Sequence, residues 1–158
     1  MKAVRIHTYG GPEILAYEET TRPEPQGGEV LVKVHASSLN PVDLGVRAGH
    51  LQGMLNATLP FIPGLDLAGV VEAVGSEFKD VAVGDEVYGY SNLMRQGAHA
   101  EYAVVGANEI ASKPTSLDFV TAAAVPLAAL TAWQGLFDVG GLQAGQTVLI
   151  HGAGGGVG

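Results

Sequence analysis

The sequence predicts a mainly β protein with short helices that changes to α/β organisation near residue 116. Short apolar segments separated by glycine and proline turns fill the first two-thirds of the chain, as in a β-barrel or β-sandwich. A helical segment, an apolar β segment and a cluster of glycines then follow in that order, which is typical of an α/β fold. We therefore expect a first domain over residues 1–120 and the opening of a second over residues 121–158.

Four segments of the first domain have the composition of strands. EVLVKVHA, residues 29–36, alternates valine and alanine with other residues, and LAGVVEAVG, residues 67–75, is closed by a glycine. The Gly84-Asp85 pair is a turn signal that precedes a further strand, and another strand is expected at residues 100–105. This spacing of short strands is typical of a barrel or a sandwich.

Two helices are expected where the chain changes from β to α/β organisation. Ser116 has the residue type of an N-cap for a short helix over residues 117–124, and Pro126 suits the first position of a second helix. The Gly140-Gly141 pair predicts where that second helix ends. Trp133 and Phe137 share its apolar face, and we expect both to be core residues.

Composition narrows the function classes. The chain has 8 basic and 16 acidic residues, for a formal charge of −8, and no basic run. Clustered Lys and Arg are what nucleic acids and anionic membranes require, so neither is an expected partner. The absence of cysteine excludes disulfides and thiolate metal sites. No signal-peptide core and no run near 18 apolar residues is present, so a cytoplasmic location is expected.

The glycine cluster at residues 152–158 follows the apolar segment TVLIH, residues 147–151. Glycines after a first strand let backbone amides approach a pyrophosphate at a helix N-terminus. A flexible glycine-rich tail or a simple turn would give the same pattern. The fingerprint also needs a following helix and a charged residue about 20 positions later, and the sequence ends before either. We therefore expect the chain to be an N-terminal fragment.

Six motifs make a specific resemblance. In chain order they are NPVDLGVRAG at 40–49, PGLDLAGVV at 63–71, GDEVYG at 84–89, GAHAEY at 97–102, PLAALTAW at 126–133 and HGAGGGVG at 151–158. Together they resemble the zinc-free, zeta-crystallin-like quinone oxidoreductase branch of the medium-chain dehydrogenase/reductase family, over essentially the whole chain. The resemblance makes a flexible tail a poor explanation of the glycines.

The resemblance implies a GroES-like, partly open β-barrel domain followed by a Rossmann domain, of which this chain would hold only the first helix and strand. It implies hydride transfer from NADPH, with NADH not excluded, to a quinone or an α,β-unsaturated carbonyl. It also implies a small-molecule substrate and a homo-oligomer. The 158-residue chain alone is expected to be inactive.

The resemblance also implies that no metal takes part. Zinc-dependent relatives carry a cysteine three residues before an aspartate and a histidine after a glycine. The matching positions here are Asn40, before Asp43, and Leu65, after Gly64. Leucine has no lone pair to offer and an amide is a poor zinc ligand, so we expect no metal site.

Two candidate catalytic residues follow from the same motif. The resemblance places residues 40–47 under the nicotinamide, where Asn40 would donate to a quinone or enone oxygen. Asp43 would accept from the ribose or from a neighbouring amide. Ordinary loop capping explains both residues equally simply. Many relatives carry a tyrosine shortly after this aspartate, whereas this chain has Leu44-Gly45-Val46, which removes one phenol donor.

The candidate cofactor-binding residues lie in the second region. Thr131 would bond the nicotinamide carboxamide, although its hydroxyl could instead bond a helix carbonyl. The pyrophosphate would lie against Gly152, Ala153, Gly154, Gly155, Gly156, Val157 and Gly158. Tyr88 and Tyr90 are expected to be packing residues.

Two functions of other classes stay open. The chain could be a non-catalytic barrel module that acts in binding or assembly, or a regulatory relative that binds nucleotide without turnover. NADPH oxidation by the longer protein distinguishes a reductase from both alternatives, because neither alternative turns over a substrate.

Overall fold

A computed structural model describes residues 1–54, 58–76 and 81–158. The strands are β1 (Lys2–Ile6), β2 (Leu15–Glu19), β3 (Glu29–Ala36), β4 (Asp66–Val74), β5 (Glu86–Tyr90), β6 (Tyr102–Gly106) and β7 (Ile110–Ser112). The helices are α1 (Pro41–Ala48), α2 (Phe119–Ala123) and α3 (Pro126–Trp133), and a π-helical segment, Gln134–Val139, continues α3. The expectation of a mainly β chain with short helices is confirmed.

The strands form two antiparallel sheets. A five-stranded sheet has the order β6-β3-β4-β5-β7, and β1 and β2 form a separate hairpin. The hairpin joins the rest through Val4, whose amide donates to the carbonyl of His99, and through Ile6, which pairs with Phe61. Over the described ranges the sheets are open and do not close into a barrel.

Three apolar clusters among the described residues hold this arrangement together. The main one lies between the strands of the large sheet and contains Val30, Val32, Leu67, Val71 and Val105. A second packs α1 on β1 through Ile6, Val46 and Phe61. A third packs α2 on β4 through Ala68, Ala122 and Ala123, whose small side chains bring the helix close to the sheet.

Helix α1 was not predicted, because the segment after Asn40 has the composition of a loop. Its sequence PVDLGVRA places proline at the first helical position and the apolar Val42 and Val46 one turn apart. Gly49 ends it in the left-handed conformation, with φ of 83°. The capping signal of Asn-Pro and Asp is therefore that of a helix N-terminus.

Two other predictions near the domain boundary were wrong. Asp118, not Ser116, is the N-cap of α2, and its carboxylate accepts from the Thr121 amide at 2.7 Å. Trp133 and Phe137 are not core residues. They are 60% and 42% exposed, and their rings contact each other at a centroid distance of 4.6 Å.

The predicted strand at residues 147–151 is not formed. Residues 147–150 are exposed and do not form a strand, because none of the described strands pairs with them. The predicted start of α3 at Pro126 is confirmed, and Gly141 adopts a φ of 61° after the π-helical segment. No helix in the described ranges has the length and apolarity that a membrane crossing needs.

The close approach of β3 and β4 depends on Gly69. A Cβ atom at this position would overlap the backbone oxygen of Lys33. We expect Gly69→Ala to lower the free energy of unfolding by about 1–3 kcal/mol, because the overlap forces the strands apart. Denaturant unfolding followed by circular dichroism measures this change.

Gly45→Ala is the matched control. Gly45 lies inside α1, and none of the described atoms outside its own helix backbone lies within 4 Å of the position that a Cβ would take. This substitution should raise stability by about 0.5–1 kcal/mol through helix propensity. Equal stability changes in the two variants would contradict the close packing at Gly69.

Candidate functional site

The site is organised around Asp66, the first residue of β4. Its side chain is completely buried. One carboxylate oxygen accepts from the Ser38 hydroxyl at 2.5 Å and from the Asn40 side-chain amide at 2.9 Å. The other accepts from the backbone amide of Leu127, near the N-terminus of α3, at 2.8 Å. A buried carboxylate is tolerated when donors satisfy it, and these three donors come from two different parts of the chain.

Asp43 makes a second connection. One of its oxygens accepts from the backbone amide of Asn40 at 2.8 Å, which satisfies a donor just before α1. The other accepts from the amide of Gly64 at 3.1 Å. Of the two contacts that were predicted for Asp43, the structure thus shows the one with neighbouring amides. The side chain ties α1 to the turn that leads into β4.

The turn beside Asp43 requires glycine. Gly64 has φ of 96°, in the left-handed region, and a Cβ atom there would overlap the imidazole ring of His99. The His99 ring nitrogen Nε2 lies 3.1 Å from the Ser38 carbonyl oxygen. The turn, the histidine and the Ser38 loop therefore pack against one another below the site.

Burial raises the pKa of the Asp43 carboxyl above its ordinary value. The amide of Asn40, the charge of nearby His99 and the amide of Gly64 act in the opposite direction, in decreasing order, and nearby Asp66 adds to the increase. The net direction is upward because the loss of water around the carboxylate is the largest effect.

A cavity of about 330 Å³ opens above this network. Its walls include Asn40, Val42, Tyr90, Leu127, Thr131 and Val157. The structure thus brings together the predicted residues Asn40 and Thr131 and the end of the glycine segment. Asp43 does not line the cavity and lies behind Asn40. The volume is in the range of small-molecule sites.

The two polar side chains predicted to contact ligands in this cavity already make hydrogen bonds within the protein. The Asn40 amide nitrogen lies 3.0 Å from the Ser38 hydroxyl oxygen and 2.9 Å from an Asp66 carboxylate oxygen, and because these two acceptors are themselves hydrogen-bonded to each other, one Asn40 hydrogen is shared between them. The Thr131 hydroxyl donates to the Leu127 carbonyl at 2.7 Å. Asn40 keeps its second amide hydrogen, and Thr131 keeps its lone pairs to accept from a ligand.

The glycine segment forms a turn. Gly152 has φ of 74°, and the Gly155 amide donates to the Gly152 carbonyl at 2.9 Å. A second cavity of about 340 Å³ lies between this turn and α3, with Thr131, Leu136, Ile150 and Gly152 among its walls. The segment from Leu149 to Gly158 carries no acidic side chain. Exposed glycine amides in a segment without acidic side chains fit the pyrophosphate of a dinucleotide.

At the two positions that match the zinc ligands of metal-dependent relatives, this chain has residues that are buried or bonded to other side chains. Leu65 is buried, and the Asn40 amide is bonded to Ser38 and Asp66. Within residues 1–54, 58–76 and 81–158, no three His, Asp or Glu side chains lie close enough together to hold a metal ion.

Sequence reasoning missed two residues of the site. It assigned no role to Asp66, although a carboxylate that opens an apolar strand is unusual enough to indicate a buried, partnered charge. Tyr90 was assigned to packing, and the structure places it in the cavity wall. No sequence signal distinguishes Tyr90 from Tyr88.

Comparisons with known proteins show which family has this architecture. Residues 26–115 match the family model described as the alcohol dehydrogenase GroES-like domain. A quinone oxidoreductase from pig, Sus scrofa, is 41% identical over 159 aligned residues, which cover 100% of this chain and 47% of the relative. The chain belongs to the alcohol dehydrogenase GroES-like domain family, within the medium-chain dehydrogenase/reductase proteins.

Two further relatives extend the comparison. A 2-methylene-furan-3-one reductase from tomato, Solanum lycopersicum, is 40% identical over 100% of this chain and 42% of its own length. A mycobacterial protein solved in complex with NADPH is 34% identical, with a TM-score of 0.88 over 99% of this chain and 47% of that chain. The chain therefore spans about half the length of the oxidoreductases it matches.

The raised pKa of Asp43 predicts a specific dependence of stability on pH. The folded protein keeps a proton on Asp43 in a range where the unfolded chain has lost it. The contribution of Asp43 is therefore fully present below the ordinary aspartate pKa and is lost as pH rises through the raised pKa. Denaturant unfolding of the wild type and of Asp43→Asn should show this loss only in the wild type.

Asp118 is the control of opposite sign. The backbone and hydroxyl hydrogen bonds of Thr121 lower the pKa of the Asp118 carboxyl. Its contribution is present above the ordinary pKa and is lost as pH falls through the lowered one. Carbon-13 NMR of the carboxyl groups assigns both titrations. An Asp43 carboxyl that titrates at or below the ordinary aspartate range would contradict the burial argument.

Proposed function

We propose that this chain forms the substrate side and part of the cofactor side of a zinc-independent NAD(P)H-dependent reductase that acts on quinones or α,β-unsaturated carbonyl compounds. The observation that carries the proposal is the cavity in which Asn40, Thr131 and the glycine segment meet. The pig quinone oxidoreductase and the tomato reductase support the substrate class.

The cofactor assignment rests on the residues of the glycine turn and on the NADPH complex of the mycobacterial relative. Bound NAD(P)H would supply the hydride. The amides of residues 152–158 would bind its pyrophosphate, and Thr131 would accept a hydrogen bond from the carboxamide. The pyrophosphate is common to NADPH and NADH, so these residues serve either cofactor, and NADPH is the one that we propose.

The substrate class follows from the residues at the two zinc positions. Leu65 offers no ligand atom, so this chain provides no Lewis acid there to polarise an unactivated carbonyl. A quinone or enone needs less help, because conjugation spreads the charge that hydride addition creates. The apolar walls, including Val42, Leu127 and Val157, would exclude water from the reacting carbons.

The remaining cofactor contacts belong, in this proposal, to polypeptide that corresponds to the other half of the relatives. This chain spans about half the length of those relatives. Residues 147–150 and the apolar side of the π-helical segment are exposed, and a parallel sheet with covering helices would bury both. Activity is therefore proposed for the longer protein and not for residues 1–158 by themselves.

The test compares residues 1–158 with the longer protein. We expect the longer protein to oxidise NADPH in the presence of 1,4-naphthoquinone or cyclohex-2-enone, followed by the absorbance of the reduced nicotinamide. The 158-residue chain should show neither turnover nor tight NADPH binding. Treatment with a metal chelator should leave the rate unchanged, because no step uses a metal.

Each alternative has its own outcome. NADPH binding without turnover of either acceptor would favour a regulatory relative, and no NADPH binding by the longer protein would favour a non-catalytic module. A rate that falls with chelator and recovers with zinc would contradict the metal-independent mechanism. Turnover by the 158-residue chain would contradict the division of the cofactor site.

A further inference from the structure

A reductase of the proposed kind needs a hydrogen-bond donor for the substrate's carbonyl oxygen, which gains negative charge as hydride is added. Three side chains with N–H or O–H groups line the 330 Å³ cavity, namely Asn40, Tyr90 and Thr131. The Asn40 amide nitrogen is bonded to Ser38 and Asp66 through a shared hydrogen. The Thr131 hydroxyl hydrogen is used by Leu127. Of the three, Tyr90 is the side chain whose donor group makes no hydrogen bond with the described residues.

Tyr90 is held in position by the sheet. It is the last residue of β5 and lies opposite Asp66 in the register between β4 and β5. The next residue, Ser91, donates its backbone amide to the Leu65 carbonyl at 2.8 Å, which fixes the end of the strand. The side chain is half-buried, and its hydroxyl has no hydrogen-bond partner among the residues that the structure describes.

The surroundings of Tyr90 favour the protonated form of its phenol. Burial raises the pKa of the Tyr90 hydroxyl above its ordinary value, and the negative charges of Asp66, Asp43 and Glu109 raise it further, in that order. A phenol that does not ionise near neutral pH is a donor throughout the working range of the proposed enzyme. These three described carboxylates make no hydrogen bond with the phenol, so its hydrogen is left for a ligand.

We infer that Tyr90 donates its phenol hydrogen to the carbonyl oxygen of the quinone or enone and is a catalytic residue of the proposed reaction. The inference rests on the proposed function. Hydride from NAD(P)H adds to the substrate carbon, the π electron pair moves to oxygen, and the Tyr90 hydroxyl stabilises that oxygen while keeping its own proton. Water supplies the proton that completes the reduced product, and the cofactor leaves as NAD(P)⁺.

Tyr90→Phe in the longer protein tests this role. Removal of one donor to an oxyanion typically lowers turnover by about 100-fold or more, and we expect a loss of that order in kcat/KM for cyclohex-2-enone. The dissociation constant of NADPH should not change, because Tyr90 is assigned to the substrate. A rate close to that of the wild type would overturn the inference.

Tyr88→Phe is the matched control. Tyr88 lies two residues earlier on the same strand and packs against the cluster of Ala68, Ala122 and Ala123, and it does not line the 330 Å³ cavity. Its loss of the same hydroxyl should leave kcat/KM unchanged. Equal losses in both variants would show a structural effect of the strand and would overturn the specific role of Tyr90.

A measurement without turnover gives a second readout. Cyclohex-2-enone labelled with carbon-13 at its carbonyl is bound to the longer protein with NADP⁺ present, and its carbonyl stretch is followed by difference infrared spectroscopy. The stretch should move to lower frequency in the wild type and in Tyr88→Phe, and back toward the unbound value in Tyr90→Phe. A carbonyl stretch in Tyr90→Phe at the same frequency as in the wild type would overturn the inference even if the rate falls.

A failure of the proposed function would give a different result from a failure of the inference about Tyr90. In that case the wild type would not oxidise NADPH with either acceptor. If the wild type turns over and Tyr90→Phe matches it in both rate and carbonyl stretch, the proposed function stands and the inference about Tyr90 fails.

Discussion

The burial of Asp66 is the constraint on which the site depends. A carboxylate at the start of an apolar strand is stable only when donors surround it, because an unsatisfied buried polar group costs roughly 1–3 kcal/mol and a charged one costs more. Ser38 and Asn40 approach it from the segment between β3 and α1, and Leu127 approaches it from α3. The same charge therefore fixes the floor of the cavity and one of its walls.

This arrangement has a chemical consequence. Asn40 and Thr131 are held in place because each has a hydrogen bonded within the protein. Asp43 acts behind them by joining the start of α1 to Gly64. Tyr90 lines the same cavity, and its hydroxyl makes no hydrogen bond with the described residues, which is why we assign it to the substrate oxygen.

The sequence predicted the parts of the fold whose residues determine them locally. Strands β3 and β4 follow from their apolar patterns, and Pro126 marks the start of α3 through its missing amide. Helix α1 was missed because its N-terminal capping residues have the same composition as a loop. The exposed Trp133 and the unpaired segment at residues 147–150 were misjudged because burial and strand pairing depend on neighbours, which no local pattern supplies.

The sequence indicated which residues form the site better than it indicated what each of them does. The motifs and the resemblance named Asn40 and Thr131, which line one cavity in the structure. Hydrogen-bond partners decide what an amide or hydroxyl can offer, and those partners come from distant residues. Asp66 contacts Asn40 from 26 positions away and Leu127 from 61, and such separations are set by the tertiary fold. Their chemical use by a substrate stays a prediction.

The exchange rate of the Leu127 backbone amide tests the central role of Asp66 most directly. Leu127 is the second residue of α3, where an amide has no partner within the helix, so among the described residues the Asp66 carboxylate is what protects it. Hydrogen exchange followed by NMR should show strong protection of this amide in the wild type and its loss in Asp66→Asn relative to the middle of β4. A Leu127 amide that exchanges in the wild type as fast as an unprotected one would contradict the account.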